Sequence, residues 1–186
     1  MRRFAMGPAS WLALSAVALS SPAVAKDGRA SHGHGHGHGG AHCDEELSCT
    51  ALYGPFSSQV GEPCDSPIGL CTHGMLEGEL EATYDATFDT MVPANDPSDP
   101  SKLLYTGTSV VSALDGSGVI YTEDTGEIRT NPDGTSSFVT KAVIVDGTKS
   151  FKKTDGGFVA VGTLNQLGAS EGSFSAVLCA PEKHRR

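Results

Sequence analysis

In the segment SHGHGHGHGGAH, His32, His34, His36 and His38 alternate with glycine, and His42 follows. Unperturbed imidazoles titrate near pH ~6.5, so above neutrality these rings on a pliable chain can chelate Cu²⁺, Ni²⁺ or Zn²⁺. The plain alternative is a solvated linker whose metal binding is incidental, because a flexible chain loses ordering entropy on chelation. Glu123 and Asp124 are the second candidates. They are consecutive in a strand-like run, so their side chains face opposite sides and one points inward. Val119 and Tyr121 share a face with Glu123, whereas Ile120 and Ile128 share one with Asp124, which leaves the choice between them open. An inward carboxylate in an apolar interior has a raised pKa and can serve as an acid or base. The structural alternative is a carboxylate held by hydrogen bonds near the edge of that interior. His73 sits beside Cys71 and could assist a thiol, but a bridged Cys71 offers no nucleophile. There is no Ser-His-Asp order, phosphate loop or EF-hand string, and the Asp/Gly clusters read as turns.

The five cysteines need an oxidising compartment if they are to pair, and the N-terminus supplies the route to one. Arg2 and Arg3 precede an uncharged, mostly apolar run from Ala9 to Leu19, and Ala23 and Ala25 end a small-residue cleavage site. The run is about half the ~20 residues that a membrane span requires, so residues 1–25 are expected to be a cleaved signal and not an anchor. No cysteine stands at the cleavage point, which argues against a lipoprotein. Zinc is the weaker use of the cysteines, since Cys43-x5-Cys49 and Cys64-x6-Cys71 lack the short spacing of zinc ribbons. The signal carries two of the thirteen basic residues and none of the 22 acids, so cleavage takes the net charge from −9 to −11. A surface this acidic repels phosphate backbones and anionic lipids, which counts against nucleic acid and, once the signal is gone, membrane as partners.

The elements that must position these residues are written in period two. After the His/Gly tail (26–42), expected to be disordered, residues 43–71 carry Pro55, Pro63, Pro67 and four of the cysteines, and read as a stapled lead-in loop. Residues 72–180 read as the folded body and 181–186 as a C-terminal tail. From Leu76 to Phe88 the odd positions run Glu77, Glu79, Glu81, Thr83, Asp85 and Thr87, while Leu76, Leu80, Ala82, Tyr84 and Phe88 occupy even ones. That alternation predicts one long strand with a wet and a dry face, and its acids are a solvated face. Further strand-like runs are Leu103–Leu114, Val119–Ile128, Ser137–Val145, Phe158–Leu167 and Ser173–Cys179, joined by Gly/Asp turns. No stretch has a helical period, so an antiparallel sandwich or barrel is expected. In a closed barrel the first and last strands are neighbours, and a Cys71–Cys179 bridge would lock them. The partners of Cys43, Cys49 and Cys64 stay open. Tyr84, Tyr105 and Tyr121, with Phe88, Phe138 and Phe158, are the candidate lining or core rings.

The order of several motifs adds a resemblance. Cys71-Thr72-x-Gly74, Tyr105-Thr106-Gly107-Thr108-Ser109, Thr122-Glu123-Asp124-Thr125-Gly126, Asp146-Gly147-Thr148-x-x-Phe151 and Gly157-x-x-x-x-Gly162-Thr163 follow one another between Cys71 and Cys179. In this the body resembles the allene oxide cyclase and dirigent-like barrel superfamily, in particular its secreted bacterial members. The resemblance implies an antiparallel barrel of about eight strands with a mainly apolar cavity. It also implies an activity, if any, that works by restricting conformers and excluding water. The catalytic set of the plant cyclases is not seen here, and whether the chain is an enzyme stays open. Two functions are expected to compete: a secreted, disulfide-closed barrel that binds or steers a small apolar metabolite without a required cofactor, in the manner of a cyclase or isomerase, or a non-enzymatic scaffold barrel with a metal-binding tail.

Overall fold

The computed structural model describes residues 47–182. The signal segment, the His/Gly segment with His32, His34, His36, His38 and His42, Cys43, and residues 183–186 lie outside the described residues.

Eight strands make up the fold: β1 Leu47–Val60, β2 Cys71–Leu76, β3 Ala82–Pro93, β4 Lys102–Ala113, β5 Val119–Thr130, β6 Ser136–Gly147, β7 Asp155–Leu164 and β8 Ala169–Pro181, with a short 3-10 turn at Lys149–Phe151. Each strand pairs antiparallel with the next, and β8 returns to β1, closing the barrel in chain order. Closure gives every strand a neighbour on each side, although the short β2 covers only part of β1 and β3. Of the sandwich or barrel that the alternation leaves open, the fold is the all-β, disulfide-stabilised antiparallel barrel of eight strands that the resemblance implies.

The boundaries differ from the sequence-based ones at two places. Leu47–Val60, expected to be lead-in, is the strand that closes the barrel: it pairs with β8 from Leu47 opposite Pro181 to Gln59 opposite Ala169, and with β2 from Phe56 to Val60. Pro55 is tolerated because the β2 ladder begins only at Phe56. Its carbonyl points to that side and accepts from the Glu77 amide at 3.0 Å, so the missing N–H falls where no β2 partner stands. The expected Leu76–Phe88 strand is interrupted. Residues 77–81 form a connection in which Gly78 takes φ +99°, a left-handed value that a side chain resists.

The pairing of cysteines is also corrected. Cys179 bonds to Cys49, its register partner across β1–β8, and Cys71 bonds to Cys64. Cys71 lies near the far end of β1, where its carbonyl accepts from the Gly61 amide at 3.2 Å. Gly61 lies twelve positions beyond Cys49 along β1 and its extension, roughly 40 Å at a strand's rise. A Cys71–Cys179 bridge would have to span that length.

Candidate functional site

Register partners share a face of the sheet, so the pairings assign the interior of the barrel directly. One row crosses Phe88, Gly107, Asp124, Ala142 and Phe158 from β3 to β7. Another crosses Tyr84, Val111 and Ile120. At the end carrying the 77–81 and 114–118 connections, Leu80, Ala82, Ile120, Ile144 and Ala176 are buried and form a floor, against which Phe151 packs. Toward the other end the inward residues Phe88, Ile128, Phe138 and Leu164 are only half-buried. The barrel is thus closed below and open above.

Between floor and mouth lies a cavity of about 130 Å³. Its walls are mainly apolar, with Phe56, Leu76, Val111, Ile128, Phe158 and Phe174 among them. A void of roughly 150 Å³ accepts a benzene-sized molecule, so this space matches about one aromatic ring.

The polar groups include one cluster around Asp124, the Tyr105–Thr140 pair, and a second cluster of Tyr84, Ser58 and Ser170. Its Oδ1 accepts from the Thr122 hydroxyl at 2.7 Å, and its Oδ2 accepts from the Ser109 hydroxyl. Burial pushes the carboxyl above the ordinary carboxylate range, and the two hydroxyl donors pull against it. Tyr105 shares a hydrogen bond with Thr140. Its phenol is pushed up to about 12, chiefly by burial, against the Thr140 bond and with the Asp124 charge adding to the rise. Burial likewise raises Tyr84, opposed by a hydrogen bond with Ser58, whose own hydroxyl meets that of Ser170 at 2.5 Å. Both tyrosines are neutral phenols at physiological pH. Among the described residues, Asp124 is the one carboxylate lining the cavity, and no Lys, Arg or His lines it.

Glycines let the rings lie down. A Cβ on Gly126 would stand 2.4 Å from the Tyr105 ring, so only glycine on β5 lets Tyr105 of β4 cross it to Thr140 on β6. Tyr84 crosses Gly74 in the same manner toward Ser58, and a Cβ on Gly74 would stand 2.6 Å from its ring.

Of the sequence candidates, the barrel brings Asp124, Tyr84 and Tyr105 together and separates the others. Glu123 faces outward and is exposed. Tyr121 shares its outward face and is 38% exposed, which corrects its assignment as a ligand contact: the alternation that turns Asp124 inward turns both of them out. His73 lies on the outer wall. Its Nδ1 meets Asp85 Oδ1 at 2.6 Å and its Nε2 meets the Pro63 carbonyl at 3.1 Å, and the neighbouring Cys71 is bridged to Cys64. Two acceptors, one on each ring nitrogen, suit the doubly protonated ring, and the Asp85 hydrogen bond raises its pKa. Among the described residues no group of three or more His, Cys, Asp or Glu side chains could hold a metal. Phe56 and Ser58 also line the cavity, yet they are hidden in the sequence because the prolines of residues 43–71 read as loop. Ser109 and Thr140 are hidden too, since they meet Asp124 and Tyr105 only across strands, and the only signal of Thr122 is its spacing of two from Asp124 on one strand.

No family model matches the sequence, and no curated protein matches it. Among solved structures, the chain is similar to that of the pterocarpan synthase dirigent protein GePTS1, at 15% identity over 74% of this chain and 93% of that one, with a TM-score of 0.31.

Proposed function

We propose that this chain is an exported barrel that takes a small, mainly apolar molecule into its interior and holds it in one conformation. The observation that carries this is the interior itself: an apolar-walled cavity, open at one end and floored at the other, with a single carboxylate and two phenols converging on it. Ligand sites are typically concave and mostly apolar, with a few placed polar groups that fix orientation. A bound molecule is confined by Phe56, Phe158 and Phe174, while Asp124 and Tyr105 orient its polar end. Confinement of this kind favours one conformer and excludes water, the mode of action that the sequence resemblance implies for a cyclase or isomerase. Export follows from the signal segment, and the two disulfides suit an oxidising compartment.

Titration calorimetry of the full chain with p-cresol and toluene tests the proposal. Saturable binding of both is expected, and Ala160→Leu, which fills the cavity, abolishes it in a variant that still unfolds cooperatively. Absence of heat with either probe on the wild-type chain would remove the proposal.

A second activity is proposed for the His/Gly segment, on the strict alternation of His32, His34, His36 and His38 with glycine, extended by His42: uptake of Cu²⁺, Ni²⁺ or Zn²⁺ independently of the barrel. Calorimetry with Zn²⁺ and Cu²⁺ should lose its signal on deletion of residues 26–42, and undiminished binding after deletion would contradict it.

A further inference from the structure

We propose that the molecule this barrel selects is a small cationic amine, bound with its ammonium on Asp124 and its apolar body against the interior rings. The inference rests on the preceding proposal that the interior holds a ligand, and it names the chemical class.

Three observations converge on it. The first is the state of Asp124. Each of its oxygens meets one hydroxyl, Thr122 on Oδ1 and Ser109 on Oδ2, and both hydroxyls can donate to it when it is ionised. A carboxylate has about four acceptor positions, so two remain for a ligand. The second is the lack of a basic partner. Among the described residues no basic side chain lines the cavity, and those on β4, β5 and β6 stand on the outer wall: Lys102 pairs with Glu127, Arg129 with Glu127 at 3.0 Å and Asp99 at 3.2 Å, and Lys141, register partner of the outward Thr125, is exposed. A buried negative charge without a partner is costly, and burial raises the carboxyl accordingly. An arriving cation removes that cost.

The third observation is the row in which Asp124 sits. Gly107 and Ala142 flank it on β4 and β6, and Phe88 and Phe158 come next on either side. Small neighbours leave the carboxylate open to the cavity, and rings stand one strand further out, with Tyr105 also facing the same space. An ammonium there meets a carboxylate and shares the cavity with aromatic rings, so a charge-assisted hydrogen bond is available and a ring that turns its face to the charge adds cation–π attraction. A neutral alcohol of the same shape gains an ordinary hydrogen bond only. A carboxylate ligand meets Asp124 with nothing to neutralise either charge. The whole-chain charge of −9 also draws cations toward the protein from solution.

Three probes of one shape, benzylamine, benzyl alcohol and benzoate, are titrated into the full chain by calorimetry at pH ~8, where the amine is protonated. Benzylamine is expected to bind about ten-fold or more tightly than benzyl alcohol, and benzoate to give no measurable binding. Benzylamine should also displace p-cresol, which places it in the cavity and not on the acidic outer wall. Asp124→Asn brings the amine-to-alcohol ratio down to about one. Should that variant fail to fold, the wild-type chain still decides. Acidification through the Asp124 titration weakens benzylamine and leaves benzyl alcohol unchanged, whereas parallel pH profiles overturn the inference. Equal or tighter binding of the alcohol, or failure of benzylamine to displace p-cresol, overturns it too. If p-cresol and toluene bind while the amine shows no preference, the interior remains a ligand site and only the amine class is lost.

Discussion

At the scale of single residues, Asp124 and His73 titrate in environments of opposite kind, and each makes a prediction about stability. The Asp124 carboxyl is raised by burial, so the folded chain holds that proton more tightly than the unfolded chain does. Its contribution to stability is fully present below the ordinary carboxylate range and is lost as pH rises through the raised value. Asp124→Asn removes this titration. Urea unfolding should find the variant at least as stable as wild type at pH ~7, with the gap closing toward pH ~3. A variant clearly weaker at neutral pH would mean that the Thr122 and Ser109 hydrogen bonds outweigh the desolvation. His73 is raised by its Asp85 hydrogen bond, with burial opposing. Its contribution is fully present below the unfolded pKa of ~6.5 and is lost as pH rises through the raised folded value. His73→Gln should therefore lower the melting temperature at pH ~5.5 more than at pH ~8.5. The effect stays within about 1 kcal/mol because the His73 side chain is 33% exposed. An equal deficit at both pH values would show that the ion pair contributes nothing. In the sequence, the period of two reduces the carboxylate question to Glu123 against Asp124. It cannot choose, because both faces of that strand carry apolar residues: Tyr121 with Glu123, and Ile120 with Asp124.

At the scale of elements, β1 is the least legible part of the sequence. Pro55 and Gly54 interrupt its alternation, and both make sense only beside the 77–81 connection. Pro55 faces the place where the β2 ladder has stopped, and a Cβ on Gly54 would collide with the Glu77 carbonyl at 1.7 Å. A strand whose irregularities answer a distant loop cannot be read locally. The disulfides follow from it. Cys49–Cys179 joins β1 to β8 across a sequence separation of 130, and Cys64–Cys71 closes a separation of 7. In the chain-entropy model the first contributes about 5 kcal/mol and the second about 2 kcal/mol. Paired Cys→Ser replacements, compared by urea unfolding, should rank in that order, and a larger loss at Cys64–Cys71 would contradict the account. Gly126 yields the sharpest test of an element's inner face. Alanine there would bring its Cβ to 2.4 Å from both the Tyr105 ring and the Val139 carbonyl oxygen. Gly126→Ala is expected to cost about 1–3 kcal/mol or more in urea unfolding, since neither neighbour can yield without disturbing the Tyr105–Thr140 bond.

For the whole molecule, the alternation and turn chemistry are enough to expect an antiparallel sandwich or barrel, because each strand needs only one dry face to declare itself, and the resemblance carried by the order of the motifs implies the barrel. What they cannot convey is which end of the barrel is filled. That depends on Leu80, Ile120, Ile144 and Ala176 meeting from four different segments at one end, while Phe88, Ile128, Phe138 and Leu164 stay half-buried at the other. The difference between a filled barrel and a ligand site lies in that asymmetry. The central claim is that the interior, and not the valine-bearing outer wall, receives a small molecule. It is tested most directly by methyl-resolved NMR of the full chain during titration with p-cresol. The account predicts saturable shifts of Ala86, Val111, Ile128, Ala142 and Leu164, which line the cavity, with Val143, Val159 and Val177 on the outside unmoved. No shifts at the interior methyls, or shifts confined to the outer valines, would contradict it.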